Sequence, residues 1–188
     1  LPSTDLRRVI ADLDVSTITP LILYLELEAG LDESQRTECL ALLEAFVVRR
    51  AFMREENKEY NKLFVEIIGA LRGLKPERVL AGLRQKLLSG GGSTRRWPSD
   101  ADLIEHAIGK PVFDPQRTSV LRLVLERLEL AQRGKKTEGH DIPPGLQIEH
   151  VLPQSWAANW PLRGMVIPAG VASLPYLAKD ELKELVEP

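Results

Sequence analysis

The stretch that decides the fold is DESQRTECLALLEAFVVRR, residues 32–50 of a 188-residue chain. It opens on Asp32 with Gln35 three positions later, which is the spacing of a helix N-cap and its partner. Apolar side chains then return at helical intervals, at Leu40, Leu43, Phe46 and Val47. This periodicity predicts a long helix with one buried face. The stretch ends on Arg49 and Arg50, whose charges suit the C-terminal end of a helix and are expected to pair with carboxylates.

The segments on either side repeat the helical period. After a polar break at residues 55–58, a second apolar stripe runs through Tyr60, Leu63, Phe64, Ile67, Ile68 and Leu71. The two stripes together predict an antiparallel helical pair. Shorter helices are predicted after Pro20, from Pro76 as the first helical residue, after a cap at Ser99 and after a cap at Asp114.

The last part of the chain changes character. Residues 143–145, Pro-Pro-Gly, forbid helix and favour an extended entry, so we predict a strand from Leu146 to Val151. The predicted fold class is therefore mainly α, a multi-helix bundle with a short β-strand near residue 148. The glycine run at residues 90–92 is the predicted boundary between a helical subdomain, 1–92, and a second subdomain, 93–188.

Composition narrows the class of protein. Hydrophobic residues make up 44% of the chain and the formal net charge is −2, so a sizeable core is possible and bulk charge does not single out a nucleic-acid binder. No apolar run could cross a bilayer and the first residues lack signal-peptide features, so we expect a cytoplasmic protein. Cys39 is the only cysteine and is expected to be a small buried residue. Because the first residue is not Met, we expect a piece of a longer protein.

Glu149 and His150 are the residues best suited to chemistry. A divalent cation prefers oxygen ligands, and a hydrolytic water needs a base whose pKa is near neutral, so an acid beside a histidine offers one of each. Successive strand residues point to opposite faces, so the two share a site only if the strand bends or ends there, as Pro153 would allow. The alternative is structural: a solvated Glu149 and a hydrogen-bonded core histidine.

Two motifs in order give a family resemblance. Residues 148–154, IEHVLPQ, resemble the IEH-(I/V)-LPQ signature of the HNH-type region in the C-terminal half of GmrSD-like, modification-dependent restriction nucleases. Upstream, LEAFVVRR at 43–50 and NKEYNKLF at 57–64 are similar to the ES-(F/Y)-hydrophobic-hydrophobic-RR and YNK-hydrophobic-F patterns of the same proteins. Trp97-Pro98 and residues 114–130 extend the similarity over most of the chain.

The resemblance implies a function and a site. In HNH nucleases, which belong to the His-Me finger class, His150 would be the general base that activates water, and Glu149 would help to hold Mg²⁺ or Mn²⁺. The implied substrate is DNA, possibly modified, in a restriction or phage-defence system. The intact protein would also carry a nucleotide-binding N-terminal domain.

The chain departs from the family pattern after this motif. The family continues into an LGN-(L/I)-TL segment whose Asn residues complete the metal site, and nothing here matches it; Asn159 is too near the motif to serve. We therefore expect that this chain alone binds no metal and does not cut DNA, and that cutting is a property of the intact protein.

Two basic loops are candidates for DNA contact. Arg95, Arg96, Lys135 and Lys136 could contact phosphates, with Trp97 available to stack on a base. The alternative for both loops is ordinary solvated surface.

A second class of function also remains open. The chain could be a non-catalytic helical scaffold or interaction module that links a sensor domain to its effector. No linear pattern identifies the DNA modification that would be recognised or the oligomeric state.

Overall fold

The computed structural model describes residues 6–92 and 94–134, together with residue 142 and residues 146–149. Within this part the chain forms seven α-helices and one 3-10 turn, Ser16–Ile18. The helices are α1 (Leu6–Leu13), α2 (Thr19–Leu27), α3 (Glu33–Phe52), α4 (Tyr60–Leu71), α5 (Pro76–Leu88), α6 (Asp100–Gly109) and α7 (Thr118–Gln132). The prediction of a mainly helical fold is confirmed.

Most helix starts follow the predicted local chemistry. The N–H of Gln35 donates to Asp32 Oδ1 at 2.8 Å and the N–H of Asp32 donates to Gln35 Oε1 at 3.1 Å, so the predicted capping box opens α3. Ser99 and Asp102 form a second such box at the start of α6. Pro76 is the first residue of α5, where its missing N–H costs nothing.

The start of α7 was predicted wrongly. Asp114 accepts a hydrogen bond from the N–H of Gln116 at 3.0 Å, and the N–H of Arg117 donates to the carbonyl of Asp114 at 2.9 Å. These bonds close a turn, and the helix begins only at Thr118. An aspartate that binds the backbone two residues ahead shapes a turn as readily as it caps a helix.

The predicted strand is not supported. Residues 146–149 have no regular secondary structure, and the rest of the predicted strand, including Val151, lies outside the described residues. A strand must pair its backbone with a neighbouring strand, and the described ranges contain none.

The core lies where α1 to α5 and α7 meet. Its large, almost fully buried side chains come from α1 to α5 and the 3-10 turn: Val9, Ile18, Leu21, Leu25, Leu43, Phe46, Phe64, Ile67, Leu71, Leu83 and Leu87. Cys39 is also fully buried in this cluster, as predicted. None of the helices in the described ranges is long and apolar enough to span a membrane.

The packing partner of α4 differs from the prediction. The helix packs chiefly against α2 and α5, and it meets α3 at its first turns, where the rings of Tyr60 and Phe64 contact Phe46. The connection between α3 and α4 is held by the last turns of α3, since the side chain of Arg50 binds Glu55 and the carbonyl of Glu56. Tertiary contacts, which helical periodicity does not encode, therefore decide the pairing.

Helices on either side of the glycine run pack together. Helix α7 lies against α1 and α3, where Arg8 pairs with Glu126 at 2.8 Å and Arg127 Nε donates to the buried Glu44 at 2.6 Å. The proposed boundary at residue 92 stays a prediction, and the packing shows contacts that cross it.

Candidate functional site

The side chain of Arg50 is the centre of a polar cluster inside the bundle. It is fully buried, and its Nε donates to the hydroxyl of Tyr60 at 3.1 Å. One terminal nitrogen donates to Glu55 at 2.7 Å and to the carbonyl of Arg96 at 2.9 Å, while the other donates to the carbonyl of Glu56 at 2.6 Å. Burial raises the pKa of Tyr60, although the charge of Arg50 opposes that shift.

Arg95 and Arg96 bind carboxylates of the same region. Arg96 bridges Glu55, at 2.6 Å, and Asp102, at 3.1 Å. Arg95 pairs with Glu59 at 3.0 Å and Glu66 at 2.6 Å, and its hydrogen bond lowers the pKa of Glu66. We call these two arginines, Arg50 and their four acidic partners the arginine–carboxylate cluster.

Trp97 is held next to this cluster. Its ring lies 6.0 Å from the ring of Phe46, and the guanidinium of Arg49 stands 5.4 Å from its centroid. Arg49 also donates to the carbonyl of Pro98 at 3.0 Å and pairs with Asp100. The end of α3 therefore fixes residues 96–100 through both of its terminal arginines, in agreement with the structural role predicted for that pair.

The three residues of the 95–97 loop that were predicted to contact DNA already contact other side chains of the protein. Arg95 and Arg96 are paired with carboxylates, and the half-buried ring of Trp97 already has Phe46 and Arg49 as neighbours. A phosphate could reach these two arginines only by displacing or sharing their carboxylates. DNA contact by this loop stays a prediction. Lys135 and Lys136 lie outside the described residues.

The structure describes half of the predicted catalytic pair. Glu149 is exposed and lies in a segment without regular secondary structure, while His150 lies outside the described residues. Within the described ranges, no group of three or more His, Cys, Asp or Glu residues could hold a metal ion. The distance between the two predicted site residues and the predicted metal site are therefore not tested.

The sequence did not predict that two polar side chains would be buried in the packing. His106 is buried on α6, with its ring 5.4 Å from that of Phe52, and burial lowers its pKa, helped by the charges of Lys110 and Arg54. Glu44, 7% exposed, is the acceptor for Arg127. The sequence signals for Glu44 were its place beside Leu43 on α3 and its position as the acidic residue of the LEAFVVRR stretch at 43–50.

A comparison with known proteins found a similarity in the second half of the chain. Residues 97–181 match the model of the family described as GmrSD restriction endonucleases, C-terminal domain. The predicted resemblance to the C-terminal region of GmrSD-like proteins is confirmed for these residues, and the similarity predicted at residues 43–64 lies outside the match. The matched GmrSD segment begins at Trp97, beside the arginine–carboxylate cluster, and includes α6, α7, Glu149 and His150. No curated protein and no solved structure matches the chain.

Proposed function

We propose that the GmrSD segment is part of a restriction endonuclease that hydrolyses phosphodiester bonds of foreign, modified DNA. The observation that carries this proposal is the family match over residues 97–181, which spans the IEHVLPQ motif at 148–154. The intact protein is proposed to supply a nucleotide-binding domain in addition.

His150 is proposed to be the general base. An imidazole has an ordinary pKa near neutrality, so its neutral form can take a proton from an attacking water at physiological pH. Glu149 is proposed as one ligand of Mg²⁺ or Mn²⁺, which would polarise the scissile phosphate when bound. The exposed carboxylate of Glu149 supports its availability to a cation.

The helical part is proposed to hold the start of the GmrSD segment. Arg49 and Arg50 bind the carbonyls of Pro98 and Arg96, at 3.0 and 2.9 Å, and thereby join α3 to the residues that lead into α6. This anchoring also supports the second candidate function, a non-catalytic scaffold that links a sensor domain to its effector. The two candidates differ in whether His150 is needed for DNA cutting.

The test is a cleavage assay on the intact natural protein. Modified and unmodified DNA would be incubated with Mg²⁺ or Mn²⁺, with EDTA as the metal-free arm. We expect His150→Ala to lower the cutting rate by about 10²- to 10⁴-fold, the usual contribution of a positioned base. Glu149→Gln should weaken metal dependence, shown by a higher metal concentration for half-maximal rate.

His140→Ala is the matched control, because it removes a nearby histidine that has no proposed role. Cutting that survives His150→Ala as well as it survives His140→Ala would remove His150 from the mechanism. A wild-type protein that binds its partners but cuts neither the modified nor the unmodified DNA would favour the non-catalytic scaffold.

A further inference from the structure

Positive charge is concentrated on the α4–α5 hairpin. Between residues 60 and 92 the chain has six Lys or Arg residues and two Asp or Glu residues, although its overall formal charge is −2. All six cationic side chains are exposed. This hairpin is therefore a positively charged region on a protein that is slightly negative as a whole.

Three of these cations lie along one side of α5, the first of them just before the helix begins. Arg78 and Lys86 are eight residues apart, which leaves them about 80° apart around the helix axis, and Lys75 is the N-cap residue before Pro76. The buried residues Val79, Leu83 and Leu87 lie on an adjacent side and hold the helix on the core. The three exposed cations therefore lie along one side of this part of the surface.

A fourth cation from α4 extends the stripe. The Arg95 hydrogen bond lowers the pKa of Glu66, and the charges of Lys62 on α4 and Lys86 on α5 lower it further. Lys62 and Glu66 are four residues apart on α4 and so share a face of that helix. Because only residues 72–75 connect α4 to α5 and the two helices pack together, the first turns of α4, with Lys62, lie beside the last turns of α5, with Lys86. We call Lys62, Lys75, Arg78 and Lys86 the basic stripe.

The basic stripe differs from the arginines nominated by the sequence. Arg95 and Arg96 are bound to carboxylates at 2.6 to 3.1 Å. In contrast, none of the four stripe residues forms an ion pair within the described ranges. A polyanion can therefore bind their exposed charges without breaking an ion pair of the described residues.

We propose that the basic stripe binds the phosphate backbone of DNA. From Lys75 to Lys86 the helix rises about 16 Å, which equals the rise of about five base pairs along the axis of a DNA duplex at ~3.4 Å each. The proposal rests on the proposed DNA-cleaving function, and it assigns substrate holding to a surface outside the Glu149–His150 motif. Contacts of this kind position a duplex and do not read its bases.

The experiment measures DNA binding by the full 188-residue chain in EDTA, so that no cutting can occur. Anisotropy of a short fluorescein-labelled duplex would be followed over a series of salt concentrations. Each lost phosphate contact should make the slope of log Kobs against log salt shallower by about 0.9. At ~0.1 M salt, that corresponds to about an eightfold loss of affinity per contact.

Arg78→Gln and Arg84→Gln form a matched pair. Both remove one exposed arginine from α5, but Arg84 lies on the side of the helix that also carries Glu77, away from the stripe. We expect Arg78→Gln to weaken binding about eightfold and Arg84→Gln to leave the slope unchanged. The triple variant Lys75→Gln, Arg78→Gln and Lys86→Gln should make the slope shallower by about three contacts.

Several outcomes would overturn the proposal. Equal effects of Arg78→Gln and Arg84→Gln would mean that the stripe is not the contact surface, and so would a triple variant that binds as wild type does. Failure of the chain to bind DNA would also refute it, as would binding to phosphatidylglycerol vesicles in its place. None of these results depends on cutting, so the His150 test of the proposed function remains separate.

Discussion

Replacing Arg50 by Met should strongly destabilise the bundle. Met can follow the apolar stem of Arg50 through the core, but it cannot donate the guanidinium hydrogen bonds. Tyr60 and the carbonyls of Glu56 and Arg96 would lose their Arg50 donor inside the protein. Glu55, whose side chain is 11% exposed, would keep only Arg96 from this pair of arginines.

The size of the expected loss of stability follows from the burial of Arg50. Removing one member of a buried, hydrogen-bonded charge pair costs about 3–5 kcal/mol, because the remaining partner stays desolvated and uncompensated. For a protein of this size each kcal/mol lowers Tm by about 2–4 °C, so we expect a fall of roughly 6–20 °C. Arg50→Lys should recover part of the loss, since an ammonium keeps the charge but cannot reproduce the planar fork.

Urea and thermal unfolding followed by circular dichroism would measure the effect. Arg54→Met is the matched control: the same substitution four residues later removes an exposed pair, in which Arg54 stands 3.5 Å from Asp114 and is 45% exposed. That change should cost at most ~1 kcal/mol. If Arg50→Met costs no more than Arg54→Met, the arginine–carboxylate cluster does not stabilise the fold and the reasoning is refuted.

Three further predictions follow from single positions. Gly69→Ala should raise the free energy of unfolding by about 0.5–1 kcal/mol, because alanine favours the helix and an added Cβ at this position of α4 meets no atom within 4 Å. Gly73→Ala should lower the free energy of unfolding by ~1 kcal/mol, because Gly73 has φ +83°, a conformation that costs an L side chain energy. Urea titrations of the two variants would check that the two changes have opposite signs. The pKa of His106 is lowered in the folded state, so the unfolded chain binds the proton more readily, and stability should fall as pH drops below ~6.5 and level off below the folded pKa. His106→Gln should flatten this fall in unfolding titrations carried out at several pH values. A pH profile that the substitution leaves unchanged would contradict the assignment to His106. Burial is the main cause that raises the pKa of the Cys39 thiol to about 11, so a disulfide reagent at pH 8 should react with Cys39 only as fast as the protein unfolds. An immediate stoichiometric reaction with the folded protein would show instead that the thiol is accessible.

The sequence predicted the helical elements well because their signals are local. The caps at Asp32 and Ser99 act on N–H groups three residues away, and Pro76 acts on its own helix start. The helix α1 was missed although Leu6, Val9, Ile10 and Leu13 have helical spacing, since its eight residues precede the stronger stripes. The GmrSD resemblance was also predictable, because it rests on a contiguous motif that the family match includes.

The candidate site was predicted less completely. His150, Lys135 and Lys136 stay predictions, and Glu149 is described without its partner. The sequence nominated Arg95 and Arg96 for DNA because they are cationic, but their acids lie elsewhere in the chain: Glu66 is separated from Arg95 by 29 residues and Glu55 from Arg96 by 41. A linear pattern cannot show that a charge is already paired.

What the sequence by itself determined is therefore the helical character, most helix starts and the similarity of residues 97–181 to the C-terminal domain of GmrSD restriction endonucleases. What only the tertiary structure decided is which helices meet and which cations remain available. The physical reason is range: helical hydrogen bonds and caps join residues within about four positions, whereas burial and ion pairing depend on distant segments arriving together. The sequence placed Arg50 in an Arg-Arg motif at a helix end, but only the tertiary structure makes it a fully buried charge of the described bundle.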